Sequence, residues 1–220
     1  GLRTIAVDIF DASEIAMGPV GLKATVFVQP DENDFVSAVV HGVITDAVDG
    51  DAGDSDIISF NDYIADRPLT IDLGLGKVIL ADDSQAATIS DADGFEKVIG
   101  SSGDDIIIAG GSTASNIAGG AGEDAIYGAK DDVVDYGLEE VFGEHQPRYE
   151  AQGIVADLRS GEVTDTYGDT DIIYRNENGA GIQNIIATSK DDILIGSDES
   201  NVIEAGSGDD VIYTGAGEDE

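Results

Sequence analysis

Apolar residues in this chain come mostly in runs of three, separated by glycine and acid. From residue 100 the runs recur on a nine-residue beat: "GSSGDDIII", "GGSTASNIA" after an extra Ala109, "GGAGEDAIY", and a shortened "GAKDDVVDY" ending at Tyr136. Residues 187–220 keep the beat as "ATSKDDILI", "GSDESNVIE", "AGSGDDVIY" and a truncated "TGAGEDE", with Asp or Asn at the sixth place of each full unit and Ile or Leu at the eighth. A strand of three residues is only about 10 Å long and cannot stand alone. The pattern therefore predicts short strands stacked in parallel at about 4.8 Å, the middle side chain of each turned inward. The predicted inward set is Ile107, Ile117, Ile126, Leu194, Ile203 and Ile212, with two strands and two turns to a coil of eighteen residues.

A longer repeat encloses the two arrays. "LTIDLGLGKV" (69–78) resembles "GIVADLRSGEV" (153–163), and "GFEKVIGSSGDDIII" (94–108) resembles "GIQNIIATSKDDILI" (181–195). A fainter nine-residue copy lies at 50–60. These similarities divide the chain into an N-terminal strand-rich segment (1–49), a first unit of leader plus array (50–136) and a second (137–220). In the first segment "TIAVDIF", "LKATVFV" and "FVSAVVHGVI" read as strands separated by turn residues. Helix signals are weak throughout, and 137–152 reads as an inserted loop with at most one helical turn before Pro147. The expected class is all-β.

Composition sharpens this. Asp and Glu number 46 against 10 Lys and Arg, the formal charge is −36, and 29 residues are Gly. Such a charge disfavours the compact state by self-repulsion unless cations are bound, and it leaves no basic surface for nucleic acid. A merely solvated acidic surface would scatter the acids; here many follow directly after glycines, in turns that glycine allows to bend sharply. Stacked turns bring their sixth-position acids together, and carboxylates about 5 Å apart repel by roughly 1 to 4 kcal/mol. Calcium between adjacent turns would convert those carboxylates and the neighbouring carbonyls into an oxygen cage suited to a hard cation. In "GGAGEDAIY" the turn glycines shape the bend, Asp124 closes the site and the last three residues add a rung.

The unit "GGAGEDAIY" resembles the calcium-binding nonapeptide repeat of RTX proteins, G-G-x-G-x-D-x-U-x, at every place, and "AGSGDDVIY" and "GSSGDDIII" each depart from it by one glycine. The resemblance, with its leaders, covers about residues 50–220. It implies calcium-loaded parallel β-roll units after the N-terminal strands, with several Ca2+ ions held between successive turns on one side. Two carbonyls and the sixth-position side chain of each turn would be the ligands. Carried over, one ion joins Ser101, Gly103 and Asp105 to Gly119, Ala121 and Asp124; a second joins Thr188, Lys190 and Asp192 to Ala205, Ser207 and Asp210; a third joins Ser197, Glu199 and Asn201 to Thr214, Ala216 and Asp219. Ser115 stands where an acid belongs and "GAKDDVVDY" lacks one turn residue, so no ion is assigned between Ser115 and Asp132. Lys190 stands where glycine is usual, at some conformational cost.

Catalytic chemistry is scarce. The only histidines, His41 and His145, read as a strand and a loop residue; there is no H-E-x-x-H or G-x-S-x-G motif and no Cys. Acid pairs such as Asp104–Asp105 and Asp209–Asp210 recur in turn after turn, as ligands would. The chain is thus not expected to be an enzyme. Tyr127, Tyr136 and Tyr213 fall at outward positions, where edge packing outweighs a sugar-binding strip. Asp72 and Asp157, equivalent in the two leaders, suit either an extra ligand or a polar strand position. No run approaches the roughly 18 apolar residues of a membrane span, so no membrane insertion is expected. The expected function is calcium binding coupled to folding outside the cell. The chain would be part of a secreted structural, adhesive, surface-layer or biofilm protein whose partners are calcium ions and further copies or neighbouring domains. The alternative is the secretion and folding module of an extracellular protease, lipase or polysaccharide-modifying enzyme. The chain stops within a repeat, at "GAGEDE", and reads as a fragment with a type I export signal beyond it.

Overall fold

Strands this short are stable only when each is covered above and below, and the chain achieves this by alternating between two facing sheets. The computed structural model describes residues 3–6, 24–28, 34–37, 42–46, 57–60, 68–80, 85–89, 96–110, 114–142, 152–175 and 180–220. One sheet has eight strands in chain order, all parallel: β1 (Arg3–Ala6), β3 (Asp34–Ser37), β5 (Ile57–Ser59), β9 (Lys97–Ile99), β11 (Asn116–Ala118), β13 (Val133–Asp135), β17 (Asn184–Ile186) and β19 (Ile203–Glu204). The other has twelve, in the spatial order β2 (Ala24–Val28), β4 (Gly42–Asp46), β8 (Gln85–Ile89), β7 (Lys77–Leu80), β6 (Leu69–Asp72), β10 (Ile106–Ile108), β12 (Ala125–Tyr127), β16 (Thr170–Tyr174), β15 (Glu162–Thr164), β14 (Val155–Asp157), β18 (Ile193–Ile195) and β20 (Val211–Tyr213). The result is an all-β, two-sheet parallel roll.

The doubled unit is visible in the second sheet. Each leader enters it as an antiparallel meander, giving β4–β8–β7–β6–β10 and then β12–β16–β15–β14–β18. Asp72 and Asp157 shape the hairpin turns: Asp72 Oδ1 accepts from the Leu75 N–H at 2.8 Å, and Asp157 Oδ1 from the Arg159 N–H at 2.9 Å. Asp157 also pairs with the Arg159 guanidinium at 2.8 Å. Neither sheet breaks between segments: β3 pairs with β5 and β13 with β17 in the first, and β4 pairs with β8 and β12 with β16 in the second.

The inward residues form columns. Ile58, Val98, Ile117, Val134 and Ile185 follow one another across the first sheet, and Ile71, Ile107, Ile126 and Ile173 across the second, all in register and all buried. Ile107 sits between Ile71 and Ile126 with no exposed surface. Ile107→Ala should therefore cost about 2 to 5 kcal/mol in urea unfolding at saturating calcium; a loss below about 1 kcal/mol would show that this column is not the core.

Four expectations need correction. Ile212 lies in register with the inward Leu194 but is 44 % exposed, because β20 is an edge strand with no rung above it among the described residues. The run "FVSAVVHGVI" is not one strand: β3 and β4 fall in opposite sheets, as the alternation of the roll requires. The stretch after Tyr136 is not only a loop, since Tyr136–Phe142 forms a helix, α1, of 7 residues. Asp135 caps it, with Oδ1 accepting from the Leu138 N–H at 3.3 Å, and Leu138 packs with Ile57, Ile99 and Ala118 in a satellite cluster. Tyr136 is consequently buried, not outward, whereas Tyr127 stacks on Tyr174 at 4.6 Å between ring centroids. Residues 143–150, His41 and the turn at 50–56 lie outside the described residues.

Candidate metal centre

Two kinds of turn precede the strands. In the first kind a hydroxyl stands at the second place and closes the turn on itself. The Ser101 N–H and Oγ donate to Asp105, the Oγ at 3.0 Å; the Thr188 N–H and Oγ1 donate to Asp192 at 2.9 and 3.0 Å; the Ser197 N–H and Oγ donate to Asn201 Oδ1 at 2.7 and 3.2 Å. In the second kind, 119–124, 205–210 and 214–219, glycines stand at the second and fourth places with positive φ, as at Gly120 (96°) and Gly122 (118°). Gly119, at the first place, is not in that region. It is glycine because a Cβ there would lie 2.2 Å from Asp124 Oδ2.

A turn of the second kind stacks on each turn of the first, one coil on, and the sixth-position side chains form a ladder. Asp124 Oδ1 accepts from the Asp105 N–H at 2.7 Å, Asp210 Oδ1 from the Asp192 N–H at 2.9 Å, and Asp219 Oδ1 from the Asn201 N–H at 3.1 Å. The carbonyls of the lower turn face the glycine backbone of the upper. A Cβ on Gly206 would sit 1.9 Å from the Thr188 oxygen and one on Gly208 2.3 Å from that of Lys190; on Gly215 and Gly217 it would meet the oxygens of Ser197 and Glu199 at 2.0 and 2.7 Å. The Ser101 oxygen lies likewise against Gly120, and accepts from the Ala121 N–H at 3.2 Å. The donor set in each gap is thus backbone carbonyl and carboxylate oxygen, which suits a hard cation. Lys190 is accommodated by turning its side chain away, its Nζ 2.8 Å from Glu140 Oε1.

The family model of the RTX calcium-binding nonapeptide repeat matches residues 91–113 and 186–220, in four copies. Over these residues the chain carries RTX repeats. Its repeats bind calcium, several ions to a repeat region, and RTX repeat proteins are typically secreted. A search of curated proteins finds no match to the chain. No helix among the described residues is long and apolar enough to cross a membrane.

The RTX turns carry their acids at a cost. Asp105, 1 % exposed, has its pKa pushed up to about 6 by burial, against the lowering effect of hydrogen bonds from Ser101 and Leu69. Burial and the neighbouring Asp171 raise Asp124 as well. Ser115 and Asp132 do meet, the Ser115 N–H donating to Asp132 Oδ1 at 2.9 Å; Asp132 Oδ2 is taken by the Ala129 N–H at 2.7 Å, which closes the shortened turn.

The ladder also includes a member that the nine-residue beat does not show. Asp171 Oδ1 accepts from the Asp124 N–H at 3.0 Å, so the segment 165–171 stacks on 119–124 as another turn. The signal in the sequence is "DIIY" at 171–174, which matches "DAIY" at 124–127 and "DVIY" at 210–213. Asp165 and Glu139 approach from outside any repeat.

Proposed function

We propose that the stacked turns make this chain a calcium-conditional folding module, with the ions held by Ser101, Gly103, Asp105, Gly119, Ala121 and Asp124; by Thr188, Lys190, Asp192, Ala205, Ser207 and Asp210; and by Ser197, Glu199, Asn201, Thr214, Ala216 and Asp219. Only the sixth residue of each turn contributes its side chain. The observation that carries this is the ladder: three turn pairs, each placing a sixth-position carboxylate or amide one coil above another, with lower-turn carbonyls against glycine. Without a cation the acids repel. With one, the turns are tied together, and each site contributes roughly 2.7 kcal/mol when calcium is at a hundred times its dissociation constant.

In this reading the chain stays unfolded and exportable at the low calcium of the cell interior, leaves by a type I route, and folds outside. The described roll is rungs and turns, and its acid pairs are taken up in turn stacking. This supports a non-catalytic role in a larger secreted structural, adhesive, surface-layer or biofilm protein, with further copies or neighbouring domains as partners.

Circular dichroism during a calcium titration, with magnesium in parallel, tests the reading. A cooperative gain of sheet signal with calcium alone is expected, and full structure in excess chelator near neutral pH would refute it. Asp210→Asn should raise the calcium midpoint several-fold, and an unchanged midpoint would remove Asp210 from the ligands.

A further inference from the structure

Three carboxylates, Glu139, Asp165 and Asp171, converge where α1, the turn 119–124 and β16 meet, and a fourth, Asp124, adjoins them, its N–H donating to Asp171 Oδ1 at 3.0 Å. Asp124 and Glu139 are each 1 % exposed, and Asp165 and Asp171 are 0 % exposed. Ligand oxygens of Glu139, Asp165 and Asp171 all lie within 4.8 Å of one another. Asp171 is the charge that acts most strongly on Asp124, ahead of Asp105, and Asp165 the one that acts most strongly on Asp171. None of the ion pairs among the described residues reaches any of the four.

Two oxygens in this group are buried without a hydrogen-bond partner, Asp124 Oδ2 and Asp165 Oδ2. The first is bare because the second-place N–H of its turn, which in turns of the first kind closes back on the sixth residue, is given elsewhere. Where Ser101, Thr188 and Ser197 give their N–H to the sixth residue of their own turn, Gly120 gives its N–H to Glu139 Oε1 at 3.2 Å. The second is bare because the N–H groups of Tyr167, Gly168 and Asp169 all converge on the other oxygen, Oδ1, at 2.9, 2.7 and 2.7 Å. Two further hydrogen bonds hold the group in place: the Tyr136 hydroxyl donates to Asp171 Oδ2 at 3.0 Å and Thr166 Oγ1 to Glu139 Oε2 at 2.8 Å.

Unpaired buried carboxylates cost several kcal/mol each, and burial followed by mutual repulsion raises the pKa of Glu139 and Asp171. A divalent cation reverses that balance. The donors are all oxygen, and a calcium shell with bonds of about 2.4 Å spans about 4.8 Å between opposite ligands.

We propose that Glu139, Asp165 and Asp171 hold one calcium ion at the junction of the first array with the second unit, outside the nonapeptide pattern, with the bare Oδ2 of Asp124 adjoining it. Asp124 is shared between levels: its Oδ1 accepts from the Asp105 N–H and its Oδ2 is the bare oxygen. The ion fastens α1 to the roll through Glu139, so docking of that helix becomes calcium-dependent. This site is independent of the ion assigned at Asp210, and the two can be tested apart.

The test counts calcium bound per 220-residue chain by equilibrium dialysis at saturating calcium, in the wild type, Glu139→Gln/Asp165→Asn and Asp210→Asn. The double variant is expected to bind one ion fewer. An unchanged count overturns the proposal, whatever Asp210→Asn does; loss of an ion in the double variant but not in Asp210→Asn upholds this site and refutes the ligand set at Asp210. Should the double variant fail to fold, terbium decides: in the absence of Trp, its emission is excited through tyrosine, and Tyr136→Phe should dim it at an unchanged ion count. Equal emission overturns the proposal.

Discussion

In excess chelator, lowering the pH from about 8 to about 5 is expected to restore sheet structure to the calcium-free chain. The folded state holds Asp105 at a pKa raised to about 6 and Asp165 at one raised to about 7, in both cases chiefly by burial. Asp124, Asp171 and Glu139 are raised too. In the unfolded chain these groups titrate near 4. Between those limits the folded state binds more protons, so its stability falls as pH rises through the window and recovers as pH falls. A tenfold difference in proton affinity between the two states corresponds to about 1.4 kcal/mol, which makes the contribution roughly 3 kcal/mol from Asp105 and roughly 4 from Asp165. Calcium should remove this dependence, because ligation uses the ionised form. Far-ultraviolet circular dichroism against pH, with chelator and with calcium, reads the effect. A chelated chain equally unstructured at both pH values, or more structured at the higher, would contradict the burial of these acids.

Gly206→Ala is expected to raise the calcium midpoint of folding at least tenfold. Gly206 has φ 85°, and its Cβ would fall 1.9 Å from the Thr188 carbonyl oxygen. The left-handed conformation alone costs a residue with a side chain about 1 to 2 kcal/mol, and the clash is with backbone, which cannot rotate away. Relief would push apart the two turns that carry Asp192 and Asp210. Ser207→Ala, one residue on, should leave the midpoint unchanged, since Ser207 is exposed and only its carbonyl is assigned a role. Similar midpoints for the two variants would show that close stacking of these turns is not what calcium folding requires.

The stacking is legible because the arrays announce it: a sixth-place acid and an eighth-place aliphatic, repeated in phase, place Ile107, Ile117, Ile126 and Leu194 inside the roll. The turn ending in Asp171 is not, because it is reached through an antiparallel hairpin, whose strands alternate on a period of two and carry no glycine beat. Helix α1 is masked by weak propensity; its stability comes from the Asp135 cap and from Leu138 packing, both tertiary facts. Glu139 meets Thr166 across 27 positions of chain, a juxtaposition no local pattern encodes. The continuity of the two sheets past residue 137 likewise depends on β13 pairing with β17 and β12 with β16, which the two-array reading leaves open.

The spacing of the rungs has a kinetic consequence. Adjoining ladder acids are 19 residues apart at Asp105–Asp124 and 18 at Asp192–Asp210, but 47 at Asp124–Asp171. The longer excursion adds only about 0.8 kcal/mol of loop-closure entropy by chain statistics, yet α1 and the β14–β15 hairpin must also settle before β16 can dock on β12. Nucleation is therefore favoured within either array, and the β12–β16 seam is the slow joint: the two halves zip separately and splice last.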